Sequence, residues 1–184
     1  MKIIIMRHAK VQIENRSIYA NEFNEMIEEY DHAPIEEQMD NEDELKKVAD
    51  EANYFLSSGL RRSLDSLALL GKKADDIDEI FAEAELPSGR RKWIKLPLFI
   101  WVFIFRLFWL LGYSGEGRSY RESQEDALKA TLKLEALAKE HGTVFLLGHG
   151  LKNRLIAQAL KRRGWHETQK MSLKNWGYGV YETL

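Results

Sequence analysis

The sequence predicts a three-layer α/β/α sandwich with a mostly parallel central sheet. Three observations carry that prediction: an apolar run at residues 3–6 that stops abruptly at Arg7-His8, a second run at 143–147 that stops at Gly148-His149-Gly150, and helical periodicity between them. Strands buried on both faces read as continuous apolar runs, and open α/β sheets bind ligands at the C-terminal ends of such strands. With 184 residues, 45% of them hydrophobic, the chain is read as one domain over 1–184 with an apolar helical insertion around 93–112.

After the first strand, residues 11–21 have weak periodicity and are expected to form a loop leading into a helix over 22–29. Asp31-His32-Ala33-Pro34 marks a break, because proline disfavours a helical residue before it. Asp40-Asn41 caps a helix over 42–51, and residues 54–56 form a short second strand. The serines Ser57-Ser58 are natural N-caps for a helix through Leu60, Leu64, Leu67 and Leu70 that Gly71 ends. This places Arg61 and Arg62 in its first turn. A weaker third strand is expected over 75–81, followed by Glu83 and Glu85 and a break at Pro87-Ser88-Gly89. A glycine-rich loop at 112–118 lacks the lysine-serine ending of a P-loop and reads as a hinge. The helix over 122–140 is expected to bury Leu128, Leu132, Leu134, Leu137 and Ala138. A further helix runs through Leu151, Leu155, Ile156 and Leu160 to Gly164, and 176–181 reads as an antiparallel edge strand.

Composition narrows the chemistry. The chain has no cysteine, which excludes disulfides, thiol nucleophiles and cysteine-held metals, and fits a cytoplasmic location. Residues 1–10 carry no apolar signal-peptide core, so export is not expected. A net charge of -2 gives no drive toward nucleic acid, although acids crowd residues 22–51 and Arg90, Arg91, Lys92 and Lys95 form a basic cluster. With no HExxH motif and no acidic metal loop, neither metal nor cofactor is expected.

Arg7-His8, Arg62, Glu83 and His149 each lie just beyond a strand candidate, so parallel neighbouring strands would bring them to one edge. That set suits phosphoryl transfer. Guanidinium groups present planar donors to phosphate oxygens, and helix N-termini add backbone N–H groups. A neutral imidazole attacks phosphorus, and a carboxylic acid protonates the leaving oxygen. In an extended segment Glu83 and Glu85 share a face, so spacing leaves either as that acid. His32, His141 and His166 fit no motif and read as surface or helix-end residues.

The stretches Arg7-His8-Ala9-Lys10, Ser57-Ser58-Gly59-Leu60-Arg61-Arg62-Ser63, Phe81-Ala82-Glu83 and Gly148-His149-Gly150 resemble, in order and spacing, the signatures of the histidine phosphatase (phosphoglycerate mutase-like) superfamily. The resemblance spans almost the whole chain. It implies a phosphoglycerate mutase-like fold and catalytic roles for His8 as nucleophile, Glu83 as proton donor and His149. It also implies a phosphate cradle of Arg7, Arg62 and His149, with Ser57 at the substrate. Ala9 stands where glycine is usual, as also in the phosphohistidine-phosphatase-like branch, and Gly59 replaces proline, which should loosen the helix entry. No tryptophan-glutamate-glycine follows, which favours hydrolysis over mutase chemistry. The expected function is therefore a phosphatase that hydrolyses a phosphomonoester or phosphoprotein through a phosphohistidine on His8. The alternatives are a phosphoglycerate mutase-type phosphotransferase and a phospho-ligand-binding module without turnover. The expected partner is a small-molecule phosphate ester.

Residues 96–111 are almost wholly apolar and aromatic apart from Pro97 and Arg106. The stretch is shorter than the ~20 residues that span a bilayer. Its readings are a cap helix over the site, a homodimer interface, or a segment lying in a membrane surface, with the cap or interface favoured. In the resembled family, insertions here commonly form helices that shape substrate choice. An aromatic cap would suit a phosphomonoester with an apolar or aromatic leaving group.

Overall fold

The computed structural model describes residues 1–84, 86–89, 92, 94–115 and 117–183. Glu85, Arg90, Arg91 and Trp93, on which expectations above rest, lie outside the described residues, as do Glu116 and Leu184. In chain order the elements are β1 (Lys2–Arg7), β2 (Ser17–Ile18), α1 (Phe23–His32), α2 (Glu42–Asp50), β3 (Tyr54–Ser57), α3 (Arg61–Leu69) and β4 (Asp76–Ile77). They continue with β5 (Leu96–Pro97), α4 (Leu98–Leu110), α5 (Tyr120–His141), β6 (Thr143–Gly148), α6 (Gly150–Arg162), β7 (His166–Gln169) and β8 (Tyr178–Glu182).

The predicted α/β/α sandwich is the fold observed. The main sheet has the order β4-β3-β6-β1-β8-β7, parallel from β4 to β1 and antiparallel at β8 and β7. Alternation along β1 sets the layers. Ile3 and Ile5 join Leu134 and Ala138 of α5 and Leu155 and Leu160 of α6, whereas Ile4 and Met6 join Leu45 and Ala49 of α2 and Leu67 of α3. A third cluster lies apart from the sheet, where Phe23 and Met26 of α1 pack on Leu98, Trp101 and Phe105 of α4. Trp101 is fixed there by donating from Nε1 to the Ile18 carbonyl at 2.9 Å, and β5 pairs with β2 beneath it.

Several expectations are corrected. The loop over 11–21 contains β2, which no periodicity marked because it is only two residues long. The first helix runs on through His32 and stops at Ala33, whose extended backbone (φ -67°, ψ 149°) is what Pro34 demands. Neither Ser57 nor Ser58 caps α3; the N-cap is Leu60, and Arg61 and Arg62 do open the helix. The third strand is confined to Asp76–Ile77, and a 3-10 turn at Glu79–Phe81 replaces the rest because Asp78 accepts from the Ile80 N–H. In α5, Leu128 and Leu132 are exposed; the buried stripe is Ala127, Ala130, Thr131, Leu134 and Ala138. Small side chains let α5 approach α6 and the sheet closely, and the leucines lie one position, about 100°, off that stripe. The 176–181 segment is antiparallel but is not the edge, since β8 pairs with β1 on one side and β7 on the other.

Gly148, the last residue of β6, is required by contact. A Cβ there would collide with Oδ1 of Asn153, a fully buried side chain tied through Nδ2 to the Met6 carbonyl at 3.0 Å. Gly148→Ala is expected to cost ~1–3 kcal/mol of stability, read as a lower urea midpoint. An unchanged midpoint would mean that Asn153 moves aside freely.

Candidate active site

Strands β3, β6 and β1 lie side by side, with Ser57 opposite Leu147 and Arg7 opposite Gly148. Their C-terminal ends therefore coincide, and the next residues of each, Ser58, His149 and His8, meet at one edge of the sheet. The His8 N–H continues the ladder by one bond to the Gly148 carbonyl, at 3.1 Å. The two imidazole centroids are 5.2 Å apart, with planes inclined at 54°.

His8 is held in one tautomer. Its Nδ1 lies 2.6 Å from the Ala9 carbonyl, where only a donor is accommodated, so the lone pair is on Nε2. The backbone around it is pinned on both sides. Asn175 Nδ2 donates to the His8 and Ala9 carbonyls, and the Ala9 N–H donates to Ser66 Oγ at 2.8 Å, which in turn donates to the Arg62 carbonyl. The side chain is only 2% exposed, and burial, the Arg62 guanidinium and then that of Arg7 push its pKa down to about 3. The imidazole is thus neutral at physiological pH. His149, fully buried, is driven well below the usual histidine range by burial and by Arg62. Its Nε2 lies 2.7 Å from Ser58 Oγ, and its Nδ1 has no partner among the described residues.

Arg62, in the first turn of α3, is buried; it pairs with the Asp31 carboxylate and lies over the Tyr30 ring at 5.0 Å. Arg7 donates from Nη1 to the Leu173 carbonyl and lies against the Gly150 Cα, where a Cβ would come within 3.3 Å of Nε. The Nε atoms of both arginines are buried without a hydrogen-bond partner among the described residues. Two guanidinium N–H groups and an imidazole nitrogen left unpaired together make a site for a multivalent anion, since each buried unpaired donor costs about 1–3 kcal/mol.

Glu83 is placed by α6. Its Oε1 accepts from the Lys152 N–H at 2.9 Å and its Oε2 from the Leu151 N–H at 3.2 Å, so the carboxylate sits on the helix N-terminus. Arg7, His8, Arg62 and Glu83 line one cleft of about 1190 Å³; His149 is not among its lining residues and reaches the site through its contact with the His8 ring. Ser57 does not join them: fully buried, it faces the Leu147 carbonyl at 3.4 Å, and Ser58 is the serine that reaches the imidazole. Side chains alternate in direction along an extended segment, which decides between two adjacent serines only once the register with β6 is known. The motifs did not reveal Asp31 and Tyr30, which orient Arg62, or Arg106 and Arg154, which also line the cleft. Arg106 alone had a signal, as the one charge in the apolar stretch. Among the described residues, no three His, Asp or Glu side chains are grouped so as to hold a metal.

No family model and no curated protein matches the sequence. Solved structures do. The product of the open reading frame Rv3214 from Mycobacterium tuberculosis superposes with a TM-score of 0.61 at 18% identity, over 97% of this chain and 89% of that one. The chain has the phosphoglycerate mutase-like fold of the histidine phosphatases. The mycobacterial glucosyl-3-phosphoglycerate phosphatase Rv2419c gives 0.59 at 17%, over 97% and 88% of the two chains. The phosphoserine phosphatase of Entamoeba histolytica, a mutant in complex with phosphoserine, gives 0.58 at 13%, over 97% and 89%. Structures of the mycobacterial enzyme with VO3 and with inorganic phosphate match as well. In this phosphoglycerate mutase-like fold, α4 is the element that closes the cleft: Leu98, Phe99, Val102, Arg106 and Leu110 line it, followed by the loop from Gly112.

Proposed function

We propose that the protein is a metal-independent phosphatase of the histidine phosphatase superfamily, hydrolysing a phosphomonoester through a phosphohistidine on His8. The observation that carries this reading is the commitment of His8 Nδ1 to the Ala9 carbonyl, which leaves a neutral Nε2 beside the unpaired donors of Arg7 and Arg62. The likeness to solved phosphatases, one of them bound to phosphate, supports it.

In the first step the Nε2 lone pair attacks phosphorus in line with the leaving oxygen. The bond from phosphorus to that oxygen breaks, and the oxygen takes its electron pair and a proton from Glu83. Arg7, Arg62 and His149 hold the remaining phosphoryl oxygens, and the two guanidinium charges offset the charge that spreads over them. In the second step water attacks phosphorus and the bond to Nε2 breaks, returning its electrons to the ring. The proton of the water passes to Glu83, and inorganic phosphate leaves. Because the arginines supply the charge, no metal is needed. Fold and substrate are independent questions, so the reading is tested on p-nitrophenyl phosphate. Release of free phosphate is expected, inhibited by vanadate and unchanged by EDTA. Tight vanadate binding without turnover would assign a binding module, and phosphoryl transfer without phosphate release would assign a mutase.

A further inference from the structure

The helix α4 is apolar on every side. Its inner face buries Leu98, Trp101, Phe105 and Trp109, yet its outer face carries Phe103 at 68% exposure and Leu107 at 46%, with Leu111 just beyond its end at 76%. A surface helix of a soluble domain normally turns charged residues outward, and one that is hydrophobic all round is covered by something. The only charged residue in α4, Arg106, lines the cleft instead. At 13 residues the helix is about 20 Å long, too short for the ~30 Å core of a bilayer. Correspondingly, no helix among the described residues is long and apolar enough to cross a membrane.

Charge decides what covers it. From Leu86 to Gly115 the sequence has no acidic residue, but it holds Arg90, Arg91, Lys92, Lys95 and Arg106, in a chain whose net charge is -2. Lys92 and Lys95, immediately before α4, are exposed. A second copy of the chain on this face would set like charges against each other across a two-fold axis. An anionic lipid surface would pair with them while its acyl boundary received Phe103, Leu107 and Leu111. The exposed face is also continuous with the cleft, because Phe99 and Leu110 are half exposed and line it as well.

We infer that α4 lies in the headgroup region of an anionic bilayer, and that the cleft draws from it a phosphomonoester whose leaving group is an apolar chain. The second half rests on the phosphatase reading; hydrolysis would then release a long-chain alcohol and inorganic phosphate. Flotation with vesicles of phosphatidylglycerol and phosphatidylcholine, compared with phosphatidylcholine alone, tests the first half. The wild type is expected to float with the anionic vesicles only. Phe103→Glu should abolish flotation, and Lys92→Ala with Lys95→Ala should weaken it on the order of tenfold. Dodecyl phosphate in the anionic vesicles should be hydrolysed at least about tenfold faster by the wild type than by Phe103→Glu. Phe103 does not line the cleft, so p-nitrophenyl phosphate turnover without vesicles should be equal in the two proteins. A wild type that stays with the dense fraction, or a Phe103→Glu protein that floats like it, overturns the inference. So does a concentration-dependent dimer that Phe103→Glu breaks while neither vesicle binds. Flotation without any p-nitrophenyl phosphate turnover would instead sink the phosphatase reading and leave the docking surface standing.

Discussion

His8→Ala is expected to lower kcat on p-nitrophenyl phosphate by at least about a thousandfold, the usual scale for removing a covalent nucleophile, or ~4 kcal/mol of barrier. His8 lines the cleft and His149 does not; the His8 imidazole is neutral, and its Nε2 is freed by the bond on its other nitrogen, whereas His149 has its Nε2 on Ser58. The arginine donors remain in the variant, so KM should change by less than about tenfold, because uniform binding is retained when only the attacking group is lost. His8→Asn is the companion variant, since a side-chain amide keeps a donor for the Ala9 carbonyl and should preserve the loop while being equally inactive. Far-ultraviolet circular dichroism checks both folds. A folded His8→Ala protein within tenfold of wild-type kcat would remove His8 from the chemistry.

What the sequence made legible follows from burial. Residues 3–6 and 144–147 are buried, so their apolar runs name β1 and β6 and, by their ends, His8 and His149. The strand β7 was illegible because His166–Gln169 is polar and mostly exposed and is ordered only by pairing with β8. The α5 stripe was misread for a related reason: a helix pressed close to its neighbours buries alanine and threonine beside Leu134, and Leu128 and Leu132 are left outside. At the site, Arg62 and Glu83 were found by order along the chain, but their orientation was not. Asp31 and Tyr30 on α1 hold the first, and the N–H groups of Leu151 and Lys152 hold the second. Those partners are about 30 and 70 residues away in sequence, beyond the reach of any local periodicity.

Acid is expected to destabilise the protein well before its surface carboxylates titrate. The folded-state pKa of His8 is depressed to about 3 from 6.5, and that of His149 is depressed as well. Between those pH values the unfolded chain binds a proton at His8 that the folded chain does not, so stability rises with pH across the window and falls as acid is added. Well above pH 6.5 both imidazoles are neutral in both states and the dependence vanishes. Each pH unit inside the window costs about 1.4 kcal/mol per group, against a total of roughly 5–15 kcal/mol for a domain of ordinary stability. From about pH 7 to about pH 5 ordinary carboxylates remain ionised, so the buried imidazoles dominate the slope. Urea unfolding followed across that interval should therefore show the free energy falling with acid, with about one proton taken up at His8 on unfolding near its lower end and His149 adding to the slope. His8→Gln, which cannot titrate, should remove the His8 proton and leave only the His149 share of the slope. A flat profile in the wild type, or the same slope in His8→Gln, would mean that the edge of the sheet admits water to His8. The neutral nucleophile inferred from its burial would then be lost with it.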